Sequence, residues 1–170
     1  MSALERKGYF FLLGLSTVWM LLILLPGILS SLSVKSDLFF AIDRLFFSPI
    51  CHQDAARSFS LFGTLLPVCH RCFGIYFSFW LVVLVYPMFF RKKSQDVSLP
   101  ILIVFLLPMM LDYSCDVAGI WKNDAYSRSI SGAIAGVGLG LMMTRAWIQA
   151  FTQVAHSFQF SFSKRKSIHG

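Results

Sequence analysis

Three of the four cysteines and two of the four histidines of this 170-residue chain fall between Cys51 and Tyr76, in the run C-H-Q-D-A-A-R-S-F-S-L-F-G-T-L-L-P-V-C-H-R-C-F-G-I-Y. They form two clusters, Cys51-His52 and Cys69-His70-Arg71-Cys72. Thiolate and imidazole are the donors that zinc and the softer transition metals take from proteins. Thiols also carry electrons by making and breaking disulfides. For a metal, Cys51, Cys69 and Cys72 are the first ligands to consider and His52 the fourth, completing a tetrahedral zinc site. His70 and Cys115 are further donors. His52 follows Cys51 directly and His70 follows Cys69 directly, and neighbours in sequence rarely ligate one ion, so the six do not all serve one site.

The same residues admit a second chemistry. A C-x-x-C pair at a helix start shares one face, since i and i+3 are neighbours. The free N–H groups and the positive dipole end there favour thiolate. Cys69 and Cys72 are then the active pair of a thiol–disulfide oxidoreductase, with Cys51 and Cys115 as a second pair and a quinone as electron acceptor. A third reading has no chemistry: the cysteines make one structural disulfide and the protein is a scaffold for a partner. Spacing alone leaves all three open. No glycine-rich phosphate loop, nucleophile elbow or H-E-x-x-H is present.

The elements that must position these residues are apolar. Hydrophobic residues make up 56% of the chain and charged ones 14%, with 18 Phe and a mean hydropathy of +0.69. An ordinary soluble domain carries about 25% charged residues. The chain reads as a single all-α integral membrane domain, 1–170. Spans are expected at about 9–32, 73–90, 99–120 and 130–151, each close to the roughly 20 residues that cross a bilayer. Pro26 should kink the first, which is too long for a signal-peptide core. Residues 33–72 form an outer segment that bears the Cys/His clusters. In it Leu38, Ile42, Leu45 and Phe46 recur at helical spacing beside Asp43 and Arg44, as in an amphipathic helix lying in the interface. Residues 57–68 read as a strand-like loop or a re-entrant piece packed against the bundle. Gly132, Gly136 and Gly140 share one helix face and permit close helix approach. Residues 152–170 form a polar tail with Lys164-Arg165-Lys166.

The net charge of +7 suits a lipid surface. Basic residues lie beside the apolar spans, and no basic stripe with interleaved aromatics suggests nucleic acid. The positive-inside rule, led by Arg91-Lys92-Lys93, puts both termini in the cytoplasm of a bacterial inner membrane. The Cys clusters then face outward, and the third span delivers Asp112, Cys115 and Asp116 to the same outer layer. Carboxylates within a span are costly and are functional candidates by default. Asp112 and Asp116 are therefore expected to line the same polar pocket as metal ligands or as acid–base groups. Arg57, Arg71 and Arg128 are their candidate partners, and Gln53 is a candidate to orient a ligand.

The order C-H-Q, R-S-F, P-V-C-x-R-C-x-G-I-Y resembles a family of small bacterial predicted membrane proteins of unassigned activity. The likeness runs over roughly residues 45–140. In that family an intramembrane Asp follows, then a loop Arg before a small-residue–Gly step, which here look like Asp112 and Arg128…Ser131-Gly132. The family's usual Thr after the last cysteine is Phe73 in this chain, which removes that hydroxyl. The resemblance implies a polytopic membrane protein and marks the cysteine cluster as a site, without naming a reaction.

Overall fold

In the computed structural model, residues 1–33, 37–89 and 99–168 are described. The elements in order are α1 (Ala3–Ser31), α2 (Asp37–Phe47), a single 3-10 turn (Ala55–Arg57), β1 (Ser58–Leu61), β2 (Thr64–Cys69), α3 (His70–Phe89), α4 (Leu99–Val117) and α5 (Ala125–Ile168). Four helices, α1, α3, α4 and α5, are long and apolar enough to cross a membrane. They run alternately, so the chain ends gather at one end of the bundle and α2, the hairpin and the α4–α5 connection at the other. The Arg91-Lys92-Lys93 stretch behind the orientation argument lies outside the described residues, as does Lys35.

Local signals set the helix ends. Ser2 and Glu5 form a capping box at the start of α1, each satisfying an amide the helix leaves free. The first helix thus begins before residue 9. Gly119 adopts φ +69° and lets the amide of Ile120 reach back to the Cys115 carbonyl at 3.1 Å, a left-handed helix stop. For that reason α4 ends at Val117, short of the expected residue 120. Asp124 accepts from the Ser127 amide at 2.7 Å and starts α5 at Ala125, ahead of residue 130. The expected polar tail at 152–168 is a continuation of α5, which at about 1.5 Å per residue is some 66 Å long.

The bundle closes on the glycine face. A Cβ on Gly132 would collide with the Arg71 carbonyl, one on Gly136 with Ser78 and Ile75, and one on Gly140 would lie 2.8 Å from Val82 Cβ. Helices α3 and α5 therefore pack backbone to backbone, the role expected of those glycines. Trp80 Nε1 donates to Thr17 Oγ1 at 3.0 Å and so joins α3 to α1. Trp147 Nε1 donates to the Gly8 carbonyl at 3.1 Å and joins α5 to α1. Helix α4 buries no residue within the protein and packs chiefly on α5, so most of its surface is left to lipid.

Residues 58–69 settle as an antiparallel hairpin, with Leu61 opposite Thr64 and Ser58 opposite Cys69. The two-residue turn is Phe62 at φ +51° and Gly63 at φ +78°, the left-handed pair that matches strand twist in tight hairpins. A register irregularity between Ser58 and Ser60 accommodates the strand beside buried Pro67, which has no amide for a ladder. The hairpin rests on α1, where a Cβ on Gly27 would meet Leu61 at 2.7 Å.

Candidate functional site

The hairpin hands the chain straight into α3, so Cys69 ends β2 and Cys72 lies in the first turn of the helix. Cys51 arrives from the other side. Its amide bonds the Phe47 carbonyl at 2.9 Å, as an overhanging last turn of α2, and its sulfur accepts from the Cys69 amide at 3.1 Å. The three sulfurs of Cys51, Cys69 and Cys72 lie within 4.8 Å of one another. Cys51 is buried, and the other two are half-buried. Around them pack Trp19, Phe73, Tyr76 and Trp80 with the buried Met20, Ile23, Phe47 and Val68. Trp19 stands 5.4 Å from Phe47 and 5.7 Å from Tyr76, edge to face in both pairs. Hydrogen bonds from the Cys51 and Cys72 thiols, and then from the backbone at Cys72 and Arg71, hold the Cys69 thiol far below its usual range. The neighbouring thiols do most of this, against the opposing effect of burial, and the helix N-terminus adds a smaller share through the two backbone amides.

The other expected donors lie elsewhere. His52 is exposed and outside the sulfur group, so the expected fourth ligand is not in place. His70 is the first residue of α3, 8% exposed, with its ring edge-on to Phe59 at 4.3 Å. Its Nδ1 is buried without a hydrogen-bond partner among the described residues. Cys115 is half-buried on α4 and also outside the sulfur group. Gln53 donates to the Arg44 carbonyl at 2.8 Å and so ties the loop to α2. Arg57 pairs with Asp54 at 3.1 Å on an exposed surface.

Asp112 and Asp116 are drawn into ion pairs. Arg71, between the C-x-x-C cysteines, donates to Asp112 Oδ2 and lies 5.6 Å over the Tyr113 ring. Asn123 Nδ2 donates to the same Oδ2 at 2.9 Å and to the Asp112 carbonyl at 2.9 Å, and Ser131 Oγ joins at 3.2 Å. Arg128 reaches Asp116 Oδ2 at 3.3 Å, and the Asn123 amide reaches its Oδ1 at 3.3 Å. One polar layer thus ties α3, α4 and α5 together, and Arg71 joins it to the turn that carries the thiols. Asn123 and Tyr113, which the sequence did not single out, are part of it. The loop Asn would have been legible only as a capping residue near the end of a span.

Residues 51–142 match the family described as predicted membrane protein (DUF2085). This chain belongs to that family. The matched region starts at Cys51 and contains all three clustered thiols and both ion pairs. An uncharacterized protein of Methanocaldococcus jannaschii is 41% identical over 93 residues, which is 53% of this chain and 58% of that protein. An uncharacterized protein of Methanothermobacter thermautotrophicus is 32% identical over 99 residues, 56% of this chain and 86% of that protein. Both relatives are archaeal, so the family is not confined to bacteria. No solved structure matches.

Proposed function

We propose that this DUF2085 protein holds a transition metal, zinc foremost, on Cys51, Cys69 and Cys72 at the extracytoplasmic face of a prokaryotic cytoplasmic membrane, with both termini inside. The observation that carries the reading is the convergence of three sulfurs within 4.8 Å from two separate stretches of chain, the end of α2 and the β2–α3 junction. Such a donor set fits zinc, whose structural sites take four protein ligands and whose catalytic sites take three and leave one position open. With His52 outside the group, this site has the three-ligand pattern. Zinc on three thiolates would supply a Lewis-acid position accessible to one small ligand. The surrounding aromatic residues cover much of the sulfurs, burying Cys51 and half-burying Cys69 and Cys72, which strengthens charge interactions there. Asp112 and Asp116 are assigned to positioning: each is committed to an arginine, and Arg71 fixes the helix turn that bears Cys72.

Elemental analysis with thiol counting on detergent-purified full-length protein tests the proposal. The expected result is one metal per chain and three thiols unmasked by a strong chelator. A metal-free protein with three thiols freely titratable would overturn it. The N-terminal placement of the low-range Cys69 thiol also supports a thiol–disulfide reading. There a partner's thiolate attacks a Cys69–Cys72 disulfide, and the partner's second thiolate resolves the mixed disulfide and leaves the partner oxidised. The reduced Cys69/Cys72 pair then passes two electrons and two protons to a quinone, which restores its disulfide. That reading predicts two missing thiols restored by reductant, with no metal.

A further inference from the structure

One buried carboxylate belongs neither to the thiol group nor to the ion-paired layer. Asp43, in the middle of α2, is 7% exposed and has no hydrogen-bond or ion-pair partner among the described residues. It lines a cavity of about 460 Å³ together with Pro26, Phe40, Arg44, Gly63 and Thr64. Small-ligand pockets commonly measure about 300–1,000 Å³. Three elements build the walls: α1 at its internal proline, α2, and the hairpin turn. Pro26 has no N–H, so it gives the Leu22 carbonyl no helical donor at this wall.

The charges name the ligand chemistry. A buried carboxylate without a donor is costly and is relieved best by a cation that also donates hydrogen bonds. The adjacent Arg44 is exposed and makes no ion pair among the described residues, so its guanidinium is available to an anion. Neighbouring opposite charges on one wall suit a zwitterion. Depth points the same way. The outer surface of α2 and the hairpin tip expose Leu38, Ile42, Leu45 and Phe62, an apolar surface that lies at the headgroup–acyl boundary of a bilayer. We propose that this cavity binds a phosphoethanolamine group, with its ammonium on Asp43, its phosphate on Arg44 and the Thr64 hydroxyl as a further donor.

The test is native mass spectrometry of the full chain in detergent, titrated with phosphatidylethanolamine or with phosphatidylcholine of the same acyl chains. The choline headgroup keeps the charge and lacks the N–H donors. Wild type should hold the ethanolamine lipid about tenfold more tightly, the scale of one charge-assisted hydrogen bond. Asp43→Asn should bring the two lipids within about twofold of each other. Arg44→Gln, at an exposed position, should weaken both about equally. O-phosphoethanolamine is then added as a competitor. Displacement of lipid by millimolar amounts identifies the free headgroup as a sufficient ligand, and lack of displacement identifies the membrane-anchored form. Both support the site. Equal binding of the two lipids by wild type overturns the proposal, as does unchanged binding in Arg44→Gln.

Discussion

The thiol group and the carboxylate layer share Arg71's turn of α3, yet they are opposites in composition. Three sulfurs face one another with no lysine or arginine ion-paired to them among the described residues, while each of Asp112 and Asp116 already has an arginine and further donors. The carboxylates of this layer are paired, although Arg71 Nε and Asn123 Oδ1 have no hydrogen-bond partner among the described residues, and paired buried groups hold a structure together. Thiols that face one another without a protein counter-charge are what the proposed metal would use. The difference separates a site from a brace, although the residues are equally conspicuous in sequence.

The largest expected effect tests the site. Changing Cys51, Cys69 or Cys72 to Ser should lower bound metal from one per chain to below about a tenth, because zinc favours thiolate strongly over hydroxyl. Cys115→Ser and His52→Ala should leave it unchanged. Plasma emission analysis of the purified variants reads this directly. Metal loss in His52→Ala would restore the four-ligand site and erase the contrast. The brace is tested by stability. Arg71→Ala leaves the Asp112 carboxylate, 11% exposed, without its cation and should cost about 3–5 kcal/mol. The double variant Arg71→Met/Asp112→Leu should recover much of that in denaturant titrations. If the double variant is as unstable as the single, the pair has a role beyond bracing.

The expected four spans and the interfacial helix rest on apolar length and 3.6-residue periodicity, which are properties of local sequence. The glycine face was legible for the same reason. The grouping of Cys51 with Cys69 and Cys72 was readable from residue types, but the placement of His52 outside that group was not. His52 is adjacent to Cys51 in sequence, and only the end of α2 decides that one of the pair turns inward. The hairpin was obscured because its turn is Phe-Gly, lacking the Asn or Asp that announces such turns. Asp43 read as the polar side of an amphipathic helix. Its burial depends on the hairpin folding back over α2, a tertiary fact with no local signature. Likewise, Asp112 and Asp116 announced cost, and only the arrival of Arg71 and Arg128 from two other helices shows that the cost is met.

Asp43 sharpens the comparison as a buried carboxylate without a partner among the described residues. Burial pushes it from 3.8 up to about 6. Arg44 is the charged neighbour on its own helix, and the facing Pro26, Gly63, Thr64 and Leu65 bring no titratable group. The folded chain therefore keeps a proton between about pH 4 and 6 that the unfolded chain has released, so this group's contribution is full below 3.8 and is lost as pH rises through 6. In detergent free of aminolipid, wild type should lose on the order of 2 kcal/mol across that window. Asp43→Asn should lack that loss and should be the more stable protein at pH 7. Thermal melts at pH 4, 5, 6 and 7 decide. A wild-type curve that rises from pH 4 to 6 relative to Asp43→Asn would mean that Asp43 has a cationic partner, and the contrast with Asp112 would fail.

The smallest effect concerns how the hairpin places Cys69. Phe62 is held at φ +51°, a region that a bulky residue enters at a cost of about 1–3 kcal/mol, and its ring is exposed. Its carbonyl accepts from Ser30 Oγ at 3.2 Å, but the ring itself packs on nothing that buries it among the described residues, so an apolar ring at the tip fits contact with the acyl boundary. Phe62→Asn keeps the turn and suits its backbone. It should stabilise the protein by about 1 kcal/mol in detergent and lose that gain in bilayer nanodiscs, where the ring's partition is forfeited. Metal content should be unchanged in both, since Cys69 is set by its pairing with Ser58 at the far end of the ladder. A metal deficit in Phe62→Asn would show that the tip, and not the strand pairing, sets the position of the third sulfur.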